Sequence, residues 1–487
     1  MRSFVLVMLF LLHLTKVGNA QSGTAAAIEQ LANDPAMRHA GLGVCVLDVD
    51  SGKELAAYRS RQSLTPASSL KIVTTASALG ILGGDFRFKT ELQISGTIDA
   101  DGTLRGNVYI KGYGDPTLGS DHFAKATPLE TILADWVGAL KAKGVRKIEG
   151  RVVGDASFFE TAVNGRTWLW EDLGNYYASG AWGLNIHENR YFLKFQQNEK
   201  LGGQPKIVSV QPEVPNLMLI NEVRNEVRGS GDNAYIFGAP FSYTRFVRGT
   251  IPVGSRLFTI KGSIPDPPFF AAQLLMNALE KNGVVTAKLA TSQLELTRLG
   301  EAVQKRTTIH LHESPPLREI VRETNLKSVN LYCESMLKWI GEKTSGQRTT
   351  VAGLEGIKKF WADRGVDMNG FFMEDGSGLS PQNAVSAYHL ASIMRKIRKD
   401  DRLDVDFYTS LPVGGQSGTL KGMFRNSAAR GKIRAKSGGM TRVRSYTGYV
   451  KNGAGQELAF CVIANNFTDK SSAMRKRLER FMEALAK

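Results

Sequence analysis

Residues 64–71 read Leu64-Thr65-Pro66-Ala67-Ser68-Ser69-Leu70-Lys71, and the run from Ile72 to Leu82 behind them is small or apolar. Pro66 suits the opening of a helix, where its missing N–H costs nothing, and the small residues after it continue one. Ser68 and Lys71 are three apart. On a helix they share a face, so the amine reaches the hydroxyl. A serine hydroxyl is a weak nucleophile until an adjacent base takes its proton. The helix N-terminus adds positive potential at the same place. The S-x-x-K pattern is weak alone, because Ser335-Met336-Leu337-Lys338 matches it too. That second match lies mid-helix and reads as surface and packing.

Two more short motifs follow in order. Ser328-Val329-Asn330 sits where a turn enters a helix read over Ser328 to Ile340. There a hydroxyl relays a proton and an amide holds a carbonyl, although Ser328 taken alone reads as a helix N-cap. Lys436-Ser437-Gly438 lies at the end of the strand Ile433 to Lys436 and is the chain's only K-[ST]-G triplet. Its lysine brings charge, its serine suits a carboxylate, and its glycine lets a ligand backbone come close.

Around these motifs the chain falls into two outer blocks and a middle one. In the outer blocks, strands such as Gly41 to Asp50 and Glu457 to Asn465 alternate with helices such as Ala473 to Leu485. The middle block holds the Asp101-Gly102 hairpin signal and a Gly- and Asn-rich stretch over 161–260 that reads as mostly β. Cys45 and Cys461 both fall in apolar strands and read as core thiols rather than as a bridge.

Composition removes whole classes. The 487 residues are 42% hydrophobic and 22% charged, which excludes wholesale disorder and suggests two to four domains. Three cysteines exclude a disulfide-dense scaffold and a four-cysteine zinc module. The net charge of +16 suits nucleic acid, an anionic surface or a carboxylate-rich substrate. It is spread thinly, with no zinc-finger spacing, RNP motif or long basic run, so nucleic acid is disfavoured. No P-loop or G-x-G-x-x-G is present, so no nucleotide cofactor is expected. His310 and His312 share a strand face without a clear third ligand, so no metal is expected either. No Ser-His-Asp arrangement or G-x-S-x-G elbow exists. Residues 1–20, MRSFVLVMLFLLHLTKVGNA, carry a basic start, an apolar run too short to span a membrane, and small residues before Gln21. This is a signal-peptide pattern with cleavage expected between Ala20 and Gln21. A periplasmic or secreted location follows.

S-x-x-K, S-D-N and K-T-G in that order form the signature of serine penicillin-recognising enzymes. The three motifs here follow it with two substitutions. The chain resembles the D-alanyl-D-alanine carboxypeptidase/endopeptidases, the class C low-molecular-mass penicillin-binding proteins. Further stretches carry the likeness: Gly112-Tyr113-Gly114-Asp115-Pro116-Thr117-Leu118, Gly154-Asp155-Ala156-Ser157-Phe158-Phe159, Ser314-Pro315-Pro316-Leu317, Asp375-Gly376-Ser377-Gly378-Leu379-Ser380 and Leu411-Pro412-Val413-Gly414-Gly415.

The resemblance covers nearly the whole chain beyond the signal and implies an α+β multidomain fold. A transpeptidase-like domain, an antiparallel sheet flanked by helices, would comprise residues 21–90 and 310–487. A β-rich insertion over 91–309, of two nested domains, would lie between the first two motifs. The resemblance makes Ser68 the acylated nucleophile, Lys71 its general base, Ser328 a relay toward Lys436, and Asn330 a substrate-orienting group. Ser437 and Gly438 would line the site of the substrate's terminal carboxylate, and the N–H groups of Ser68 and Gly439 would form the oxyanion hole. The implied function is hydrolysis of D-Ala-D-Ala bonds or D-amino-acid cross-links in peptidoglycan peptides, with β-lactams as acylating inhibitors. A peripheral membrane or cell-wall association would suit the basic surplus. A β-lactamase, or a catalytically weak wall-binding protein on the same fold, are the alternatives.

Three departures from the pattern stand out, the first being Ser437 where Thr is usual. Val329 replaces the usual Asp, at a position expected to point away. Gly439 replaces a hydroxyl residue, which removes one group expected near the carboxylate. Arg442 and Arg444 follow and read as solvated strand positions more than as a replacement charge. Lys71 also faces a physical demand: an ordinary lysine titrates near about 10.4, so a base at neutral pH must be depressed by burial or a nearby cation.

Overall fold

The computed structural model describes residues 23–487. The signal segment read at 1–20 and its cleavage site lie outside the described residues. Two compact units emerge, one holding the described part of residues 1–85 with Leu317–Lys487, the other Phe86–Pro316.

The first unit is built on a five-stranded antiparallel sheet. In chain order its strands are β1 (Gly41–Asp48), β2 (Glu54–Tyr58), β3 (Ile433–Met440), β4 (Val443–Lys451) and β5 (Glu457–Asn465). Their spatial order is β2-β1-β5-β4-β3. β1 and β5 are near-continuous apolar runs because both of their faces are covered. Helix α5 (Ala387–Arg398) packs against β1, β5 and β4. On the other face, Met474, Leu478 and Phe481 of α7 (Ser471–Leu485) join Val44, Val46, Phe460 and Val462 in one buried cluster. Cys45 and Cys461 face each other across β1 and β5 as free, buried thiols, the core role expected of them.

Helix α1 (Lys71–Leu82) is the hub of this unit. It is ringed by α2 (Leu317–Lys327), α3 (Asn330–Ser345), α4 (Thr350–Ala362), α5 and α6 (Asp404–Ser410). Its first nine residues are all buried, which explains why they are small, apolar or capable of an internal hydrogen bond. Trp361 Nε1 donates to Ser77 Oγ at 2.9 Å, and Thr74 Oγ1 donates to the Gly376 carbonyl at 2.7 Å. The helix stops at Gly83, whose φ of 89° is easy only for glycine.

The second unit carries four sheets. The largest has the order Thr291–Ser292, Val152–Asp155, Val108–Gly112, Lys89–Ser95, Arg306–Glu313. The helices Leu129–Ala142 and Pro267–Lys281 pack together with it. Seven of its strands fall between Arg190 and Ser263, as the alternating runs there suggest. The Asp101-Gly102 turn does close a hairpin, with Thr97↔Arg105 and Ile94↔Val108 in register. One buried cluster runs through all four sheets, from Leu92 and Leu104 to Leu193, Ile251 and Phe270.

The structure moves the edges of the insertion from 91–309 to 86–316. The reason is one strand pairing: Arg306–Glu313 lies antiparallel to Lys89–Ser95, with Glu313 opposite Lys89 and His312 opposite Thr90. The two ends of the segment are therefore stitched to each other, and residues 310–316 belong with the insertion.

Candidate active site

The S-x-x-K segment folds as a 3-10 turn, Ala67–Leu70, running directly into α1 at Lys71. Ala67 takes a φ of 47°, a backbone cost that non-glycine residues bear mostly at constrained sites. The turn is pinned from behind. Ser69 Oγ donates to the Pro66 carbonyl at 2.8 Å, and Ser445 Oγ of β4 donates to the same carbonyl at 2.5 Å. Ser69 and Ser445 also lie 2.9 Å apart, hydroxyl to hydroxyl. Ser68 itself stays partly exposed while Ser69, Leu70 and Lys71 are buried.

Lys71 is fully buried, and three oxygens surround its amine. Ser68 Oγ lies at 3.1 Å, Asn330 Oδ1 at 2.6 Å and the Ser377 carbonyl at 2.6 Å. Burial pulls the Lys71 pKa below the ordinary lysine value, opposed in part by Cys333, Asp375 and Glu334 nearby. Lys436 on β3 is also fully buried and donates to Ser328 Oγ at 2.9 Å and to the Ser437 carbonyl at 2.9 Å. Burial lowers its pKa well below normal, and the charge of Lys71 lowers it further. Two buried amines thus face one cluster of hydroxyls, each with reason to be neutral.

Ser328 is not the helix cap that its sequence setting suggests. Helix α3 begins at Asn330, the cap position is Val329, and no side chain caps it. Ser328 instead ends α2, its N–H donating to the Thr324 carbonyl, with φ at 62°. That left-handed turn spends the serine on Lys436 rather than on the helix. Asn330, first residue of α3, accepts from Lys71 through Oδ1, a contact the sequence does not announce.

The third motif makes the other wall. Gly438 backs onto the 66–69 turn: a Cβ there would collide with Ser445 Oγ, the Pro66 carbonyl and, at 2.8 Å, the Ser69 nitrogen. The glycine is therefore required for β3 to seat against the Ser68 turn. Ser437 Oγ donates to Thr419 Oγ1 at 2.8 Å. Gly439 is exposed and pairs with Arg444 across the hairpin.

Three groups of the site escaped the motif reading. Asp375, fully buried, accepts from the N–H groups of Gly378 at 2.7 Å and Ser380 at 2.6 Å and from Asn383 Nδ2 at 2.9 Å. It fixes the loop whose Ser377 carbonyl meets Lys71. Glu334 accepts the Gly376 N–H at 3.1 Å; burial and then the Asp375 charge push its pKa up to about 7. Cys333 is buried near both lysines, and burial pushes its thiol up to about 12. Conversely, Ser335 and Lys338 of the second S-x-x-K are buried inside α3 and not on the surface.

The chain matches the family model of the D-Ala-D-Ala carboxypeptidase 3 (S13) family over residues 24–485. It is 30% identical over 447 residues to a D-alanyl-D-alanine carboxypeptidase of Actinomadura sp. (strain R39), covering 90% of this chain and 80% of that one. It is 24% identical over 438 residues to D-alanyl-D-alanine carboxypeptidase DacB of Haemophilus influenzae, with 88% and 86% covered. The crystal structure of penicillin binding protein 4 from H. influenzae superposes with a TM-score of 0.80 at 23% identity, over 94% of this chain and 98% of that one. The fold is thus α+β, an antiparallel sheet flanked by helices and interrupted by a large β-rich insertion, and it is the fold of that penicillin-binding protein. The chain belongs to the D-Ala-D-Ala carboxypeptidase 3 (S13) family and is a serine-type carboxypeptidase.

Proposed function

We propose that this is an exported enzyme that cleaves D-Ala-D-Ala termini and D-amino-acid cross-links of peptidoglycan peptides through an acyl-enzyme on Ser68. The observation that carries the reading is the amine of a fully buried Lys71 at 3.1 Å from Ser68 Oγ. A neutral amine has two N–H donors and one lone pair. Asn330 Oδ1 and the Ser377 carbonyl, both at 2.6 Å, take the two donors. The lone pair is left for the Ser68 hydroxyl.

Lys71 takes the Ser68 proton as Oγ attacks the carbonyl carbon of the penultimate D-Ala. The N–H groups of Ser68 and Gly439 hold the charge that develops on the carbonyl oxygen. The C–N bond breaks, and the terminal D-Ala leaves as an amine, taking by way of Ser328 and Lys436 the proton that Lys71 accepted, which returns Lys71 to its neutral form. Water then attacks the ester with Lys71 again as base, and Ser68 recovers its proton. A β-lactam follows the first half, but its opened ring stays tethered. A homologous structure from H. influenzae is a complex with a β-lactam, which supports this extension.

Export rests on the signal-peptide pattern of residues 1–20. Among the described residues no helix is long and apolar enough to cross a membrane. The basic surplus suits an anionic wall.

The test is a turnover assay on two substrates, a peptide ending in D-Ala-D-Ala and a chromogenic β-lactam. Catalytic release of D-Ala with a stoichiometric, slowly reversed β-lactam burst is the expected result. Fast β-lactam turnover without D-Ala release would replace this reading with a β-lactamase.

A further inference from the structure

The side chain missing at residue 439 leaves a place, and that place is filled. Gly439 and Arg444 are directly opposed on β3 and β4. Side chains alternate across a strand, so residue 439 shares its face with Ser437, whereas Gly438 faces the Ser68 turn. A Cβ on residue 439 would lie 2.6 Å from Arg444 Nη1, 3.1 Å from Cζ and 3.6 Å from Nε. The guanidinium thus lies over the glycine with its Nη1 end nearest. Arg444 Nε donates to Ser471 Oγ, at the start of α7, at 2.9 Å. That bond holds the stem and half-buries the residue. Arg442, by contrast, is exposed in the turn of the hairpin with φ at 59°.

We propose that Arg444 is a specificity-determining residue, recognising the terminal carboxylate of the substrate in place of the hydroxyl that Gly439 lacks. A guanidinium is always charged and offers two parallel N–H donors, the geometry a carboxylate accepts. Its anchor to Ser471 removes part of the ordering cost of binding. Glycine at 439 and arginine at 444 are then one device: a larger residue at 439 would push the guanidinium off its seat. Ser437, on the same face of β3 as residue 439, brings a hydroxyl that donates to Thr419.

The proposal rests on the acyl-enzyme reading above and is tested with two peptides. One ends in D-Ala-D-Ala with a free carboxylate; the other is its C-terminal amide. The wild type should prefer the acid. Arg444→Ala should raise KM for the acid by about 10- to 100-fold, the worth of a hydrogen bond to a charged group, with kcat much less affected. The amide reaction should barely change, so the acid preference collapses. Gly439→Thr added to Arg444→Ala should restore part of it, because the hydroxyl returns without a guanidinium to displace. Arg444→Gln keeps a polar side chain for Ser471 and guards against loss of fold; it should also lose the preference. An unchanged acid preference in the folded arginine variants, or an equal loss on both peptides, would overturn the assignment. Absence of D-Ala release from wild type on the acid would break the acyl-enzyme reading and this proposal with it.

Discussion

Lys71→Met is expected to keep the fold and to cut acylation of Ser68 by about 100- to 10,000-fold, the usual worth of a positioned general base. Methionine matches the buried stem but offers no lone pair. Ser68 remains, pinned by the Pro66, Ser69 and Ser445 bonds, none of which involves Lys71. What is lost is the group 3.1 Å from its hydroxyl. The wild-type pH profile carries the same claim. The base must be neutral, so acylation rises as pH rises through the Lys71 pKa. Burial lowers that pKa, so the rise comes at a lower pH than a free lysine near about 10.4 would give. Stopped-flow acylation by a β-lactam across pH, for wild type and variant, measures both. A wild-type acid limb near 10.4, or a variant as fast as wild type, would contradict the assignment.

Asp375→Ala should cost about 3 kcal/mol or more of stability and most of the activity. The carboxylate is fully buried and is the acceptor for two backbone N–H groups and one side-chain amide. Each donor orphaned in the interior costs on the order of 1–3 kcal/mol. The loop from 375 to 380 would lose its frame, and with it the Ser377 carbonyl that holds Lys71. Gly378 tightens the constraint, because a side chain there would run into the Ala67 carbonyl. Asp375→Asn should fall between, since it keeps one acceptor and turns a donor toward the other N–H. Thermal melting gives the stability, and acylation of the folded variant gives the loss of function.

The candidate site was legible where chemistry demands a residue type at a short, fixed spacing. Ser68 and Lys71 are three apart and only a helix-like turn is needed to join them. Ser328 and Lys436 are different. Their hydroxyl and amine meet at 2.9 Å only because a left-handed Ser328 and the edge strand β3 come together, and no local pattern encodes that. The resemblance supplied the pair, and the fold supplies the contact. The Ser377 carbonyl was illegible for another reason: a backbone group has no side-chain signature, so the loop is recognisable only through Asp375. Arg444 looks like a solvated strand position in the sequence because Gly439 and Ser471, the two residues that define its seat, reach it through strand pairing and helix packing.

The fold shows the same division. Near-continuous apolar strands such as β1 and β5 are readable from sequence alone. Helix α5 carries its own sequence signal: Ser386 caps the His389 N–H, and Leu390, Met394 and Ile397 repeat at helical spacing. The border of the insertion is hard to read from sequence because Arg306–Glu313 is a half-exposed, polar strand whose partner, Lys89–Ser95, lies at the far end of the inserted segment.

The most direct measurement is covalent labelling by a fluorescent penicillin, with wild type beside Ser68→Ala. The account predicts one label per wild-type chain, mapped to the peptide holding Ser68, and none on the folded variant. A wild type that takes no label, or a Ser68→Ala chain that still does, would contradict it.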